Sequence, residues 1–216
     1  MATRESTPSK RTRSRPSAAL NQAFDKKAQH HQKRLALVHE AARLLNTRGA
    51  ASLSLDEVGS SLNISKAAIY YYFKSKQELL FECYSLSFEV WESALDEGQR
   101  GGTSGRQKLE IFVREYLHRG LSALQPVIFV REQEALESPF RQKVEARRRA
   151  LRNGIRAFVE EGIADRSLRQ VDARISSTII GASISWLLRT YQPGAGLDQA
   201  AFVAEAVTQL LRGLHD

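Results

Sequence analysis

Residues 54–76 read SLDEVGSSLNISKAAIYYYFKSK, and the fold follows from this stretch. Ser54-Leu55-Asp56-Glu57 is a capping box: the Ser54 hydroxyl can accept from the Glu57 amide while the Glu57 carboxylate reaches back. Asp56 and Glu57 also suit the positive end of a helix dipole. Leu55, Val58 and Leu62 give this short helix an inner stripe, and Gly59 is small enough to let a neighbouring helix come close. Asn63, which tolerates a left-handed backbone, ends it. Ile64 plugs inward, and Ser65 caps a second helix predicted to run to about Tyr72. Ile69 and Phe73, four apart, face the core. The expectation is a helix, a tight turn and a second helix.

With those residues turned inward, Lys66, Ala67, Ala68, Tyr70 and Tyr71 remain at the start and outer face of the second helix. Three consecutive tyrosines cannot all point inward on a helix. Ala67 and Ala68 allow close approach to a groove and contact with a base methyl, and Lys66 can donate to guanine edges or to phosphate. Tyr70 and Tyr71 can pack on sugars and bases and donate through their hydroxyls. These five are the candidate base contacts. Tyr72, Lys74 and Lys76 are better placed for phosphates, and Ser65 is grouped with them.

Charge points the same way. The net charge is +8. Residues 1–30 hold seven Lys/Arg against two Asp/Glu, residues 31–76 seven against three, and residues 77–216 eighteen against nineteen. The positive charge therefore lies in the first third, where a polyanion is the simple partner. Residues 1–30, rich in Ser, Thr, Pro and basic residues, read as a largely disordered basic tail. In it Arg11, Arg13 and Arg15 could follow a groove or a phosphate backbone. From Lys33 to about Arg48, Leu35, Val38, Ala41, Ala42 and Leu45 recur at helical spacing, and Gly49 sits where a terminating glycine belongs.

Residues 34–80 resemble the amino-terminal domain of the TetR family of transcription regulators. The features that carry the likeness are Ala41-Ala42-Arg43-Leu44-Leu45, Gly49, Ser54, Val58, Ile64-Ser65, Ile69-Tyr70, Phe73 and Ser75-Lys76. Gly59 stands where the family often has alanine, and Asn63 where it often has glycine. The resemblance implies that the helix from Ser65 to Tyr72 enters the major groove, with Ser54, Tyr72 and Lys76 on phosphates.

Beyond Lys76 every block reads as helix. The stripe Leu79, Cys83, Leu86, Val90, Ala94 marks a long one to Glu97, with Cys83 as a buried, inert thiol. Gly98 to Gly105 reads as a flexible loop. Further helices are expected over 106–124, 127–137, 139–162, 172–192 and 198–214. Arg147, Arg148, Arg149 and Arg152 form a solvated face or grip an acidic or phosphorylated effector. The last two helices are apolar over more than one face, as expected if they bury against a second subunit. The resemblance supports this, since the family dimerises through its last two long helices; Ile179, Ala182, Trp186, Val203, Val207 and Leu210 are the expected interface. A mostly apolar effector pocket is expected from Phe112, Tyr116, Phe129, Phe158 and Trp186, with Arg131, Arg148 or Arg189 as polar anchors, and each of these aromatics reads equally as plain core. Trp186 to Pro193 (WLLRTYQP) is similar to a branch of the family that senses acyl-CoA thioesters or related lipids.

No phosphate-binding glycine loop, paired-cysteine motif or nucleophile elbow is present in the sequence. Neither enzymatic activity, a cofactor nor a metal is expected. No window has the ~18 apolar residues of a membrane span, and the single cysteine suits a cytoplasmic setting. The whole is therefore expected to be all-α: a basic tail (1–30), a three-helix helix-turn-helix DNA-binding domain (31–76), and a helical effector-binding and dimerisation domain (77–216). The function expected is a ligand-responsive repressor that binds a palindromic operator as a homodimer. The alternative is a helical interaction protein whose basic module docks an acidic protein.

Overall fold

Eight helices account for the regular structure among the described residues of the computed structural model, which are 18–122, 135–194 and 196–214. They are α1 (Ala18–Arg48), α2 (Leu55–Ser61), α3 (Lys66–Tyr72), α4 (Lys76–Gly101), α5 (Gly105–Gly120), α6 (Phe140–Ala164), α7 (Ala173–Thr190) and α8 (Gln199–Arg212). The chain divides after Leu35 into two units.

In the first unit, α1 begins at Ala18 rather than near Lys33, so residues 18–30 are helical where a disordered tail is expected. The run AALNQAFDKKAQ consists mainly of strong helix formers, and their propensity outweighs the polar composition. Residues 1–17, with Arg11, Arg13 and Arg15, lie outside the described residues.

The second unit opens with the rest of α1. Its buried face is Leu37, Val38, Ala41, Ala42, Leu44 and Leu45, while Leu35 is exposed. Gly49, at φ 80°, ends the helix as expected. Local chemistry sets the other boundaries. Ser54, Ser65, Ser75 and Ser104 each accept from the amide three residues on, as do Asp172 and Asp198; each such cap is worth about 1 kcal/mol. The capping box at Ser54 is half formed. Ser54 takes the Glu57 amide at 3.1 Å, but the Glu57 carboxylate pairs with Arg48 at the end of α1. Asn63 adopts φ 54°, making the turn. Leu62 is the C-cap of α2 and exposed, because the helix stops one residue before it.

Two apolar cores result. The first gathers α1–α3 with the start of α4 (Leu79, Leu80, Cys83, Tyr84, Phe88) and takes in Leu136, Val144 and Leu151 from the α6 region. The second holds the rest of α4 with α5–α8. Trp91 and Leu95 of α4 pack against both. α6 also serves both, giving Val144 and Leu151 to one and Ile155, Phe158 and Val159 to the other. Gln77 ties the beginning of α4 to this region: its side-chain amide donates to Ala135 O and accepts from the Glu137 amide, both at 2.9 Å.

The glycine-rich stretch after Glu97 is not a loop. α4 continues to Gly101 and α5 starts at Gly105, leaving three residues between them. These glycines serve close packing. A Cβ on Gly98 would lie 2.6 Å from Lys108 O, and one on Gly105 would lie 2.0 Å from the Gly162 amide nitrogen. Asp165 fixes the same corner by accepting from the Gly105 amide at 2.8 Å, and Lys108 reaches Glu161 at 2.6 Å. Of the helix expected over 127–137, residues 127–134 lie outside the described residues, as does Pro126.

Gly105→Ala should therefore destabilise the protein by at least the roughly 1–3 kcal/mol typical of overpacking, seen as a lowered midpoint in urea. Gly213→Ala, where nothing stands within 4 Å, should leave that midpoint nearly unchanged.

Candidate nucleic-acid interface and ligand cavity

α3 is seven residues long, and the burial pattern along it separates support from contact surface. Ile69 and Phe73 are fully buried. On the opposite side Tyr70 is 40% and Tyr71 65% exposed, and Lys66 and Ala67 are exposed beside a half-buried Ala68. Tyr72 packs against the first core and meets Tyr71 edge to face at 5.2 Å. A Cβ at Gly59 would stand 3.5 Å from Ile69 Cγ2, so the small residue does let α3 close on α2.

The five expected base contacts thus form one surface at the start and outer face of α3. Lys66 is not loose on it. Its ammonium donates to Asp56 Oδ2 at 2.7 Å and lies 5.8 Å from the centre of the Tyr70 ring. The Asp56 carboxylate raises the Lys66 pKa. Of the expected phosphate contacts, Ser54 and Ser65 are exposed N-caps whose hydroxyl oxygens accept from Glu57 and Ala68. Lys74 is exposed at the end of α3 and reaches Tyr70 O, and Lys76 reaches Ala51 O at 3.4 Å. Asp56 is the residue that sequence reasoning assigned only to the helix dipole.

The outer side of α7 carries an uncovered apolar stripe. Ile175, Ile179 and Trp186 stand 56%, 58% and 62% exposed along one stripe of α7, and Leu197 is 52% exposed before α8. Between the two helices lies an open groove of about 780 Å³ that includes Ala182, Trp186, Phe202 and Leu210. Ile179, Ala182, Trp186 and Leu210 therefore lie on one face. Val203 and Val207 do not: each is buried in the second core of its own chain, so neither is available to a partner. On α8 the groove is lined instead by Phe202, Glu205, Gln209 and Leu210.

A separate cavity of about 310 Å³ lies where the two cores meet. α4 supplies Tyr84, Ser87, Phe88 and Trp91, and α5 supplies Tyr116. Arg148 and Arg152 come from α6, and Ser177, Thr178, Gly181, Ala182 and Ser185 from α7. Of the expected pocket residues, Tyr116 and Arg148 line it. Phe112 and Phe158 are core, the first fully buried and the second against Gly98. Trp186 and Arg189 are on the outside of α7, and Phe129 and Arg131 lie outside the described residues. Sequence reasoning missed the α4 contribution, because an aromatic on an apolar stripe reads as core whether or not a cavity faces it.

The polar groups of this cavity have a definite order. Ser87, Ser177, Thr178 and Ser185 donate their hydroxyl protons to carbonyls of their own helices. The Trp91 Nε1–H is buried and has no acceptor among the described residues, a state that costs about 1–3 kcal/mol. Arg147 grips both oxygens of Glu92, at 3.0 and 2.8 Å, and stacks on Phe88 at 5.0 Å. Arg148 is half-buried; burial lowers its pKa, and the neighbouring charge of Arg152 adds to the effect.

The family model for bacterial regulatory proteins of the tetR family matches residues 37–83, and the model for a tetracyclin repressor-like C-terminal domain matches residues 102–214. The chain belongs to the TetR family. It is a helix-turn-helix transcription regulator, and its partners are those of the family: operator DNA, a second copy of itself and a small-molecule ligand. Solved structures share the fold. PfmR from Thermus thermophilus is 23% identical, with a TM-score of 0.68 over 83% of this chain and 99% of that one. The ketosteroid regulator KstR2 of Mycobacterium tuberculosis is 19% identical, with a TM-score of 0.76 over 85% and 95%. AibR, solved with isovaleryl coenzyme A and operator DNA, is 19% identical, with a TM-score of 0.71 over 82% and 97%. A comparison with curated protein sequences finds no match. No helix among the described residues of this TetR-family chain is long and apolar enough to cross a membrane.

Cys83 is fully buried in the first core, and burial pushes its thiol pKa strongly up. The native protein should therefore be inert to a thiol reagent such as Ellman's at pH 8, and one thiol per chain should react once urea unfolds it.

Proposed function

We propose that the chain is a repressor that binds a palindromic operator as a homodimer and leaves it when a small, mostly apolar effector enters the cavity between α4, α5, α6 and α7. The observation that carries the DNA half is the division of α3, with Ile69 and Phe73 buried behind a surface of Lys66, Ala67, Ala68, Tyr70 and Tyr71. A helix presented in this way can enter a major groove, with its small residues against base methyls and its tyrosines on sugars and bases. Ser54, Ser65, Tyr72, Lys74 and Lys76 surround it and hold phosphates. In this reading residues 31–76 are the DNA-binding domain and residues 77–216 the effector and dimerisation domain.

The dimer is proposed to form through the uncovered stripe of α7 and the outer face of α8, centred on Ile179, Ala182, Trp186 and Leu210. Burying these side chains is favourable by roughly 25 cal/mol per Å² of apolar surface. Two-fold symmetry then sets two copies of α3 one helical turn of DNA apart. An effector that binds better to a different spacing of the two copies shifts the population away from the DNA-bound form. The effector class we favour is an acyl-CoA thioester or a related lipid. The aromatic cavity with arginines beside it supports that choice, as does the fold shared with AibR, which binds isovaleryl coenzyme A.

A gel shift with the DNA upstream of the gene should give a sequence-preferring complex. Failure to prefer any palindrome would favour docking of an acidic protein instead. Tyr71→Ala should cut the preference for specific over random DNA by about 1–3 kcal/mol. Lys76→Ala should weaken both equally and reduce the salt slope by about one. Equal losses on both DNAs with Tyr71→Ala would make Tyr71 a phosphate contact. In a thermal-shift series, acyl-CoA thioesters should raise the melting temperature, and no rise with any chain length would exclude this effector class.

A further inference from the structure

A carboxylate beside a surface that meets DNA repels phosphate, yet Asp56 stands there. Residues 31–76 hold three acids, Glu40, Asp56 and Glu57. Glu40 is paired with Arg43 and Glu57 with Arg48, so these two neutralise arginines of α1. Asp56, in the first turn of α2, instead takes the ammonium of Lys66, the first residue of α3, at 2.7 Å. Lys66 belongs to the candidate base-contact surface. We propose that Asp56 determines base specificity through Lys66: it holds the ammonium as a directed donor to a guanine edge and withholds it from the phosphate backbone. Asp56 is a positioning residue in this scheme, and the inference rests on α3 entering the major groove.

The geometry limits what Lys66 can do. An untethered lysine is a compact charge on a flexible four-carbon stem and serves any phosphate within reach. Here Nζ is fixed at two points: it donates to Asp56 Oδ2, and the centre of the Tyr70 ring lies 5.8 Å away. One of its three protons goes to Asp56, which leaves two. Both side chains are exposed, so those two protons are open to a partner. Guanine presents two acceptors side by side in the major groove, O6 and N7. Adenine sets an amino donor beside its N7, and thymine a methyl beside its O4. Two directed donors therefore suit guanine. The paired ammonium is also largely neutralised, so it adds little to counterion release, the source of strength in binding to any sequence.

The lysines beyond α3 are held differently. Lys74 Nζ reaches Tyr70 O at 3.3 Å and Lys76 Nζ reaches Ala51 O at 3.4 Å. A carbonyl oxygen leaves the charge whole, and neither lysine has an ion pair among the described residues. They remain full cations for phosphate. The module thus divides its lysines between two tasks, and the presence of a carboxylate makes the division. Exposed ion pairs contribute little to stability, so the effect of Asp56 belongs to binding rather than to folding.

The test selects duplexes from a pool of DNA with a random core of about two helical turns. It uses the intact dimer of the native chain and of three variants: Asp56→Asn, Lys66→Gln and the two combined. Affinities for the selected duplex and for a random one are then measured by fluorescence anisotropy over a range of salt. The native dimer should enrich a palindrome with guanine at one symmetric position in each half-site. Asp56→Asn should lower the preference for that guanine by about three- to tenfold, part of what a good base contact is worth. It should also steepen the salt dependence on random DNA by about one per subunit. Lys66→Gln should abolish the same preference, and the combined variant should match Lys66→Gln in base preference. The inference is overturned if Asp56→Asn leaves every base preference unchanged, or if it alters them equally with and without Lys66→Gln, since Asp56 would then act on its own. Both variants should keep the native midpoint in urea; Asp56→Ser replaces Asp56→Asn if that midpoint falls. No enriched palindrome from the native dimer would overturn the DNA-binding proposal itself, and this inference with it. An enriched palindrome indifferent to both substitutions would overturn only the role of Asp56 and Lys66.

Discussion

A seven-residue helix cannot hold itself together in water. Isolated helices shorter than about 12–15 residues are marginal even with good sequences. α3 is that short, so its shape depends on burying Ile69 and Phe73 in the first core. Everything required of the outer face follows from this. Lys66, Tyr70 and Tyr71 keep a fixed spacing because the inner face is clamped, and the turn at Asn63 and the close approach at Gly59 set the angle at which it is clamped.

The same core extends well past the DNA-reading module. It takes Leu79 to Phe88 from α4, Leu136 from before α6, and Val144 and Leu151 from α6 itself. α4 and α6 then continue into the second core. The cavity lies between these two helices, with Arg148 between Val144 and Leu151 in sequence and Trp91 against both cores. A ligand that draws Arg148 or Trp91 by a fraction of an ångström displaces residues that belong to the packing behind α3. Close-packed interiors transmit such shifts because they compress little. Under the proposed function, that is the physical link between effector and operator.

The helix-turn-helix was legible in the sequence almost residue by residue, since caps, the Asn63 turn and the i, i+4 pair Ile69 and Phe73 are local features. The cavity was not. Tyr116 and Arg148 line it, but Phe112 and Phe158 are core and Trp186 is exposed. The α4 wall of Tyr84, Ser87, Phe88 and Trp91 was missed. Val203 and Val207, expected at an interface, lie in the chain's own core for a related reason: on an apolar helix, periodicity does not say which side faces that core.

Taken alone, the sequence determined the helical class, where most helices begin, and which side chains of α3 face outward, because each depends on residues within one or two turns of each other. It did not determine that Gly98 and Gly105 are packing contacts rather than a loop, or that Glu57 turns to Arg48. The tertiary structure decided these, along with the cavity and the free face of α7. Their causes lie in residues distant in sequence: Gly105 against Gly162, Arg147 against Glu92, Phe88 beneath Arg147. A local pattern fixes the direction in which a side chain points; only the folded chain supplies what it meets there.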